Sequence, residues 1–343
     1  MKKKFLLLST LIISLALLVV GCSGGEKAAS TSDGQKSVTF KLGHVTQVSH
    51  PYHKAAEAFK AKVEKETNGR IKINIYPARQ LGGDRDMLEQ IQNGSLDMGF
   101  ISSAVFSGFT PVLDGLQLPF LMQNYDVLGK AVKTDEAKAL LDALKNINVK
   151  GLAFYDAGFR HFVTVENPVS SPQDLKGLKL RVVESPLMLD IFNTLGTSPT
   201  PMPYGEIYSA LQTGVIDGLE MDLSAIWAEK HYEVAKNVSL SSHFSFPTVN
   251  IINMDKWNNL SKEDQEIMQK AAWEVIDENQ AYIKQVDQEC LNNIKKQNIN
   301  VTEIKDLTPF IEATKPVYDK HTAKDPLVKQ FVDKVQAIKA ETK

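Results

Sequence analysis

Cysteine is nearly absent from this chain: two residues in 343, Cys22 and Cys290. With Cys22 at the end of an N-terminal apolar run, no pair is left for a disulfide, and stability must come from the core. After residues 5–20 no further apolar stretch reaches membrane length, and no basic cluster is dense enough for general nucleic-acid binding. The local signatures of catalysis are missing as well: no G-x-S-x-G elbow, no H-E-x-x-H and no P-loop occurs. Cys290 falls mid-helix on a mostly polar stretch, poor ground for a nucleophile. The one cluster with metal-like spacing is HPYHKAAE, with His50, His53 and Glu57. Pro51 suits a first helical position there, which leaves His50 outside the helix, so neither a metal nor a cofactor is expected. Phe106, Phe109, Phe120 and Met122 read as core or cleft lining rather than a cofactor box.

What is present begins with a leader. Three lysines at 2–4 precede the apolar run, and Val-Val-Gly-Cys follows it at 19–22. This resembles a lipoprotein signal, cut before Cys22, whose sulfur would carry a diacylglycerol. Residues 1–21 are therefore expected to be removed. Residues 22–37, rich in Ser, Gly, Ala, Lys and Thr, are expected to tether the body to a membrane. Without the leader 36 basic residues face 41 acidic ones, a balance of −5. Some 320 residues remain, enough for two lobes with their own cores.

The body alternates strands and helices. Residues 38–44 alternate like a strand, and 51–68 carry a helical stripe of Ala55, Ala56, Phe59 and Val63. Residues 71–76, about 84–93 and about 98–101 continue as strand, helix and strand, an order that implies parallel pairing with crossovers. The phrase IQNGSLDMGF at 91–100 returns as LQTGVIDGLE at 211–220. Each reads as a helix end, a glycine suited to the left-handed position, and a launch into a strand. Two such joints suggest two lobes of similar α/β build. Residues 261–298 hold no helix breaker, and Ser261 with Asp264 resembles a capping arrangement. At 1.5 Å per residue that helix would be on the order of 55 Å long, so it should span both lobes. The expected fold is thus α/β, two-lobed, with an interlobe cleft. Residues 38–157 with about 247–285 form the first lobe, and 158–246 with about 286–343 the second.

One residue fits badly in this scheme. Arg181 stands inside LKGLKLRVVES, an otherwise apolar strand. Its charge cannot be titrated away, and burying it costs several kcal/mol without a partner. The partner is either a carboxylate of the chain, such as Glu184, Glu206 or Glu220, or an anion from outside.

The stretch from GFRHF at 158–162 through DLKGLKLRV, LGTSPTPM and EIYSALQTGVIDG resembles the DctP-like solute receptors of TRAP transporters. The likeness extends over YPARQLGGDRDMLEQIQNGSLDMGF and KHYEVAKNVSLSSH, nearly the whole body. It implies a two-lobed, periplasmic-binding-protein-like fold that closes over an organic anion, without covalent chemistry or cofactor. The anion would be delivered to a membrane permease of a small and a large subunit. It also implies that Arg181 clamps the ligand carboxylate and that Arg160 occupies a second arginine position. Sialic-acid- and C4-dicarboxylate-type receptors have an asparagine where this chain has Met221, and the sialic-acid type an arginine where it has Val105. A second anionic group on the ligand would lose a partner there. A monocarboxylate with hydroxyls, such as a uronic or aldonic acid, is therefore expected. Asp84, Glu184, Ser102 and His44 are candidates for its hydroxyls. Tyr204, Trp227 and Met221 are candidate walls, and Glu220 and His243 complete the expected lining. A C4-dicarboxylate, a 2-oxo acid, and a receptor for an ATP-driven importer or sensor stand as alternatives.

Overall fold

In the computed structural model, residues 37–342 are described; residues 1–36, with Cys22 and nearly all of the expected tether, lie outside them. Eleven strands occur in this part: β1 (Val38–Gly43), β2 (Ile71–Tyr76), β3 (Met98–Ser102), β4 (Val149–Tyr155), β5 (Arg160–Thr164), β6 (Lys179–Val182), β7 (Ser198–Pro201), β8 (Gly218–Asp222), β9 (Asn237–Leu240), β10 (Thr248–Asn253) and β11 (Asn300–Glu303). They form two sheets, ordered β2-β1-β3-β10-β4 and β11-β9-β5-β8-β6-β7.

Neither sheet is purely parallel. β1 runs parallel to β2 and β3, as the strand–helix–strand order implied, but β10 returns antiparallel between β3 and β4. In the second sheet β5 lies antiparallel to both β8 and β9, while β6 pairs in parallel with β7 and β8. The chain thus crosses between the sheets three times, after β4, after β9 and after β10.

The repeated phrase does the same work twice. Gly94 (φ +81°) and Gly214 (φ +71°) end their helices in the left-handed conformation that a side chain disfavours. Each then launches an inner strand, β3 and β8. Their last residues, Ser102 and Asp222, reach the same crevice between the sheets.

The helix Pro51–Glu66 starts as Pro51 implied, with the His50 imidazole outside it accepting from the Tyr52 amide. The long helix runs Lys262–Lys295, 34 residues, with Ser261 accepting from the Asp264 amide at its start. At 1.5 Å per residue it is about 50 Å long. Its buried stripe, Met268, Ala272, Val275, Ile276, Ile283, Val286, Cys290 and Ile294, recurs every three or four residues. The helix packs on Pro51–Glu66 and β4 of the first sheet and on the helix Leu223–Ala228 beside the second. Cys290 ends up in the second core cluster, where burial pushes its thiol up to about 12. The C-terminal helices differ from expectation. Thr308–Thr322 packs on Pro186–Thr194 and also on Pro111–Gln117, and Pro326–Glu341 packs on Pro111–Gln117, Tyr125–Ala131 and Asp135–Ala143, next to the first sheet. The segment 286–343 therefore does not stay with the second sheet as a block.

Candidate functional site

Between the carboxyl ends of β3, β6 and β8 lies a small cavity of about 40 Å³, room for roughly three waters. Arg181 forms one wall. It is 2% exposed; Nε and Nη2 both donate to the Met202 carbonyl at 3.0 and 2.7 Å, while Nη1 has no partner. Among the described residues no carboxylate pairs with it. Burial lowers its pKa to about 10; the Glu220 and Asp84 carboxylates work against that, and the neighbouring Arg160 charge adds to it. The guanidinium still carries its charge at neutral pH, with one donor arm free.

Other under-used groups share that cavity. The Ser102 hydroxyl and the Tyr204 hydroxyl are buried without partners. Asp84 opens the helix Asp84–Asn93 without capping it. Gly83 is the cap, and the Asp86 carboxylate accepts from the Gly83 amide. The Asp84 carboxylate accepts from the Ser102 amide at 3.4 Å. Burial pushes it up to about 7; the Ser102 amide and Arg181 work against that, and Glu184 adds to it. Glu184, half-buried, lines the same space.

Arg160 lines the cavity too, but its donors are taken. Nε and Nη2 reach the two oxygens of Glu220 at 2.5 and 2.9 Å, Nη2 also the Glu220 carbonyl, and Nη1 reaches Asp222 at 3.2 Å. Of five N–H groups, four are engaged and one on Nη1 remains. Burial opposes the charge of Arg160, yet the Glu220 carboxylate holds its pKa above the ordinary value. Its guanidinium also lies 4.1 Å from the centre of the Phe246 ring.

Five of the expected lining residues sit elsewhere. Alternation along β8 puts Glu220 and Asp222 on one face and Met221 on the other, inside the second core cluster. His44 is buried between His53 (2.9 Å) and the Thr46 hydroxyl (3.1 Å), and burial, then the two nearby histidines, lowers it to about 3. Trp227 stacks on Tyr232 at 5.2 Å. His243 stacks on Phe162 at 4.6 Å and bonds the Ser241 hydroxyl. Glu220 is also absent from the wall itself, holding Arg160 from behind.

Residues that sequence reasoning passed over take their places: Thr46, His50, Tyr52, Asp222, Ala225 and Phe246. His50 approaches Asp222 at 3.4 Å, joining the first sheet's helix to the second sheet. Val105, noted for the arginine it replaces, lines the cavity. His53 meets Glu57 at 3.3 Å, and among the described residues no group of three potential ligands is arranged to hold a metal.

A crevice between two sheets, walled by a buried cation and unpaired hydroxyls, suits the holding of a small anionic solute. The chain belongs to the DctP family, bacterial extracellular solute-binding protein family 7, whose model matches residues 42–325. It is 33% identical over 307 residues to the sialic acid-binding periplasmic protein SiaP of Vibrio cholerae, covering 89% of this chain and 92% of the relative. Among solved structures it is similar to a TRAP periplasmic solute-binding protein from Bradyrhizobium in complex with galacturonate. That match has a TM-score of 0.84 and 31% identity, covering 88% of this chain and 100% of the other. The sugar acid-binding protein DctPAm of Advenella mimigardefordensis, in complex with galactonate, matches at TM-score 0.83 and 28% identity, covering 88% and 99%. The fold is the two-lobed one of periplasmic binding proteins, and the protein is an extracytoplasmic TRAP solute receptor, not an enzyme.

Proposed function

We propose that this receptor captures a hydroxylated monocarboxylate, a uronic or aldonic acid, by pairing its carboxylate with Arg181. The observation that carries the reading is the buried guanidinium with a free Nη1 and no acid of its own. A guanidinium offers parallel donors that match a carboxylate, and such bonds strengthen where water is excluded. Ser102 and Tyr204 bring unpaired hydroxyls, and Asp84 and Glu184 bring acceptors for ligand hydroxyls that would repel a second carboxylate. Arg160, already paired, has one N–H left to offer. The galacturonate and galactonate bound by similar structures support the same ligand class. Residues of both sheets enclose the crevice, so in this reading the sheets separate to admit the ligand and close again. The filled receptor then docks on a permease of a small and a large subunit.

Calorimetry on D-glucuronate, D-galactonate, pyruvate and succinate tests this. A sugar acid should bind with a Kd of about 1 μM, about −8 kcal/mol, and succinate at least 100-fold more weakly. Tight succinate binding with silent sugar acids would move the assignment to C4-dicarboxylates.

Cys22 is proposed as the membrane anchor, its thioether carrying diacylglycerol. Metabolic labelling with a palmitate analogue should mark the wild-type protein and leave Cys22→Ala unlabelled. An unlabelled wild type would end this part.

A further inference from the structure

The loop after β2 carries an arginine that ligand capture, as described, leaves unused. Ala78 (φ +51°) and Arg79 (φ +66°) are consecutive left-handed residues, a conformation that residues with a side chain disfavour. The surroundings hold them there. The Ala78 amide donates to the Thr46 carbonyl at 2.9 Å, and the Arg79 amide to the His44 carbonyl at 3.2 Å. This loop is therefore fixed to the segment that supplies Val45 and Thr46 to the crevice.

From that mounting the Arg79 side chain reaches the other half of the molecule. Nη1 donates to the Val45 carbonyl and to Glu229 Oε1, both at 2.9 Å, and Nη2 faces Glu229 Oε2 at 3.4 Å. Glu229 caps the helix Leu223–Ala228, which follows β8 in the second sheet. The Arg79 guanidinium also lies 5.4 Å from the centre of the Tyr204 ring, the wall whose hydroxyl is unpaired. The neighbouring Gly205 makes room for it: a Cβ there would stand 3.0 Å from Arg79 Cδ. One side chain thus joins a first-sheet loop to two second-sheet segments that border the ligand. The pair is two-pronged and well shielded, the side chains 26% and 16% exposed, so it is screened less than an open surface pair.

We propose that Arg79 is a latch: its pairing with Glu229 fastens the two sheets at the crevice, seats Tyr204 against the ligand, and sets how fast the ligand leaves. The inference rests on the reading that the crevice opens to take up an organic acid. It assigns Arg79 a positioning role without contact to the ligand. Contacts made only in the closed form slow release and leave the encounter rate untouched.

Stopped-flow tryptophan fluorescence of the full chain reads this, with Trp227 two residues from Glu229 as a reporter. The probes are D-glucuronate, D-galactonate, pyruvate and succinate. For whichever binds, Arg79→Ala and Glu229→Gln should each raise the dissociation rate roughly five- to tenfold, with the association rate within about twofold of wild type. Exchanging the pair, Arg79→Glu with Glu229→Arg, should bring release back to within about threefold. Release rates within about twofold of wild type in both single variants overturn the latch. If no probe binds the wild type, the ligand assignment fails by itself. The same release measurement is then made with whichever organic acid a thermal-shift screen of hydroxy, oxo and dicarboxylic acids finds to bind the wild type, and the same two outcomes decide the latch.

Discussion

Arg181→Ala is expected to remove ligand binding and leave the fold intact. The wild-type guanidinium would give the ligand carboxylate two charge-assisted hydrogen bonds, each contributing roughly 1.5–3 kcal/mol. Losing them should cost at least about 3 kcal/mol, a fall in affinity of roughly 150-fold or more by calorimetry. The stability prediction runs in the opposite direction. In the free protein Arg181 is buried, holds only a backbone carbonyl, and has no acid to compensate its desolvation. Its truncation should therefore leave the thermal midpoint unchanged or raise it. Arg181→Lys keeps a charge but offers a point rather than a fork, so it should recover only part of the affinity. Undiminished binding by Arg181→Ala would pass the clamp to Arg160 and its remaining N–H.

How much of this could be read from the sequence depends on the length scale of the signal. The repeated glycine joints, the Pro51 start and the Ser261 cap are local, and the chain folds there as its neighbours in sequence dictate. Arg181 was legible because a permanent charge in an apolar strand is costly wherever the strand goes. The antiparallel β10 and β5 were not, because pairing after a chain crossing is decided by strands far away in sequence. The same limit applied to the crevice. Met221 reads as a wall only while the facing of β8 is unknown; once Glu220 and Asp222 are known to turn toward Arg160, alternation sends Met221 to the core. That pattern was available, since two acids flanking a methionine in a strand share a face. His44 and His243 failed for another reason: a histidine looks equally suited to a ligand and to a buried hydrogen bond, and here each found a partner within the protein. Tyr52 and Phe246 carry no sequence signal that separates crevice from core.

Glu220→Ala should have the largest effect on stability. It strips from Arg160 two of its charged contacts, at 2.5 and 2.9 Å, in a place where the arginine is 3% exposed and cannot reach water. Breaking a buried pair from one side typically costs about 3–5 kcal/mol; Asp222 still holds Nη1 at 3.2 Å, so the cost should fall toward the lower end of that range. Scanning calorimetry should show a midpoint lowered by roughly 6–12 °C. Removing both charges is a different experiment. Arg160→Met with Glu220→Ala leaves no stranded cation, and the flexible thioether side chain fills part of the space beside Phe246, so most of the lost stability should return. An Asp222 deprived of one partner retains His50, the Ser224 hydroxyl and the Ala225 amide. The double variant then separates the two roles of Arg160. If it is a strut between β5 and β8, the recovered fold binds ligand nearly as well as wild type. If its last N–H serves the ligand, stability returns while affinity does not. A Glu220→Ala protein as stable as wild type would overturn the prediction, since it would mean that Asp222 alone suffices as counter-charge for the buried guanidinium.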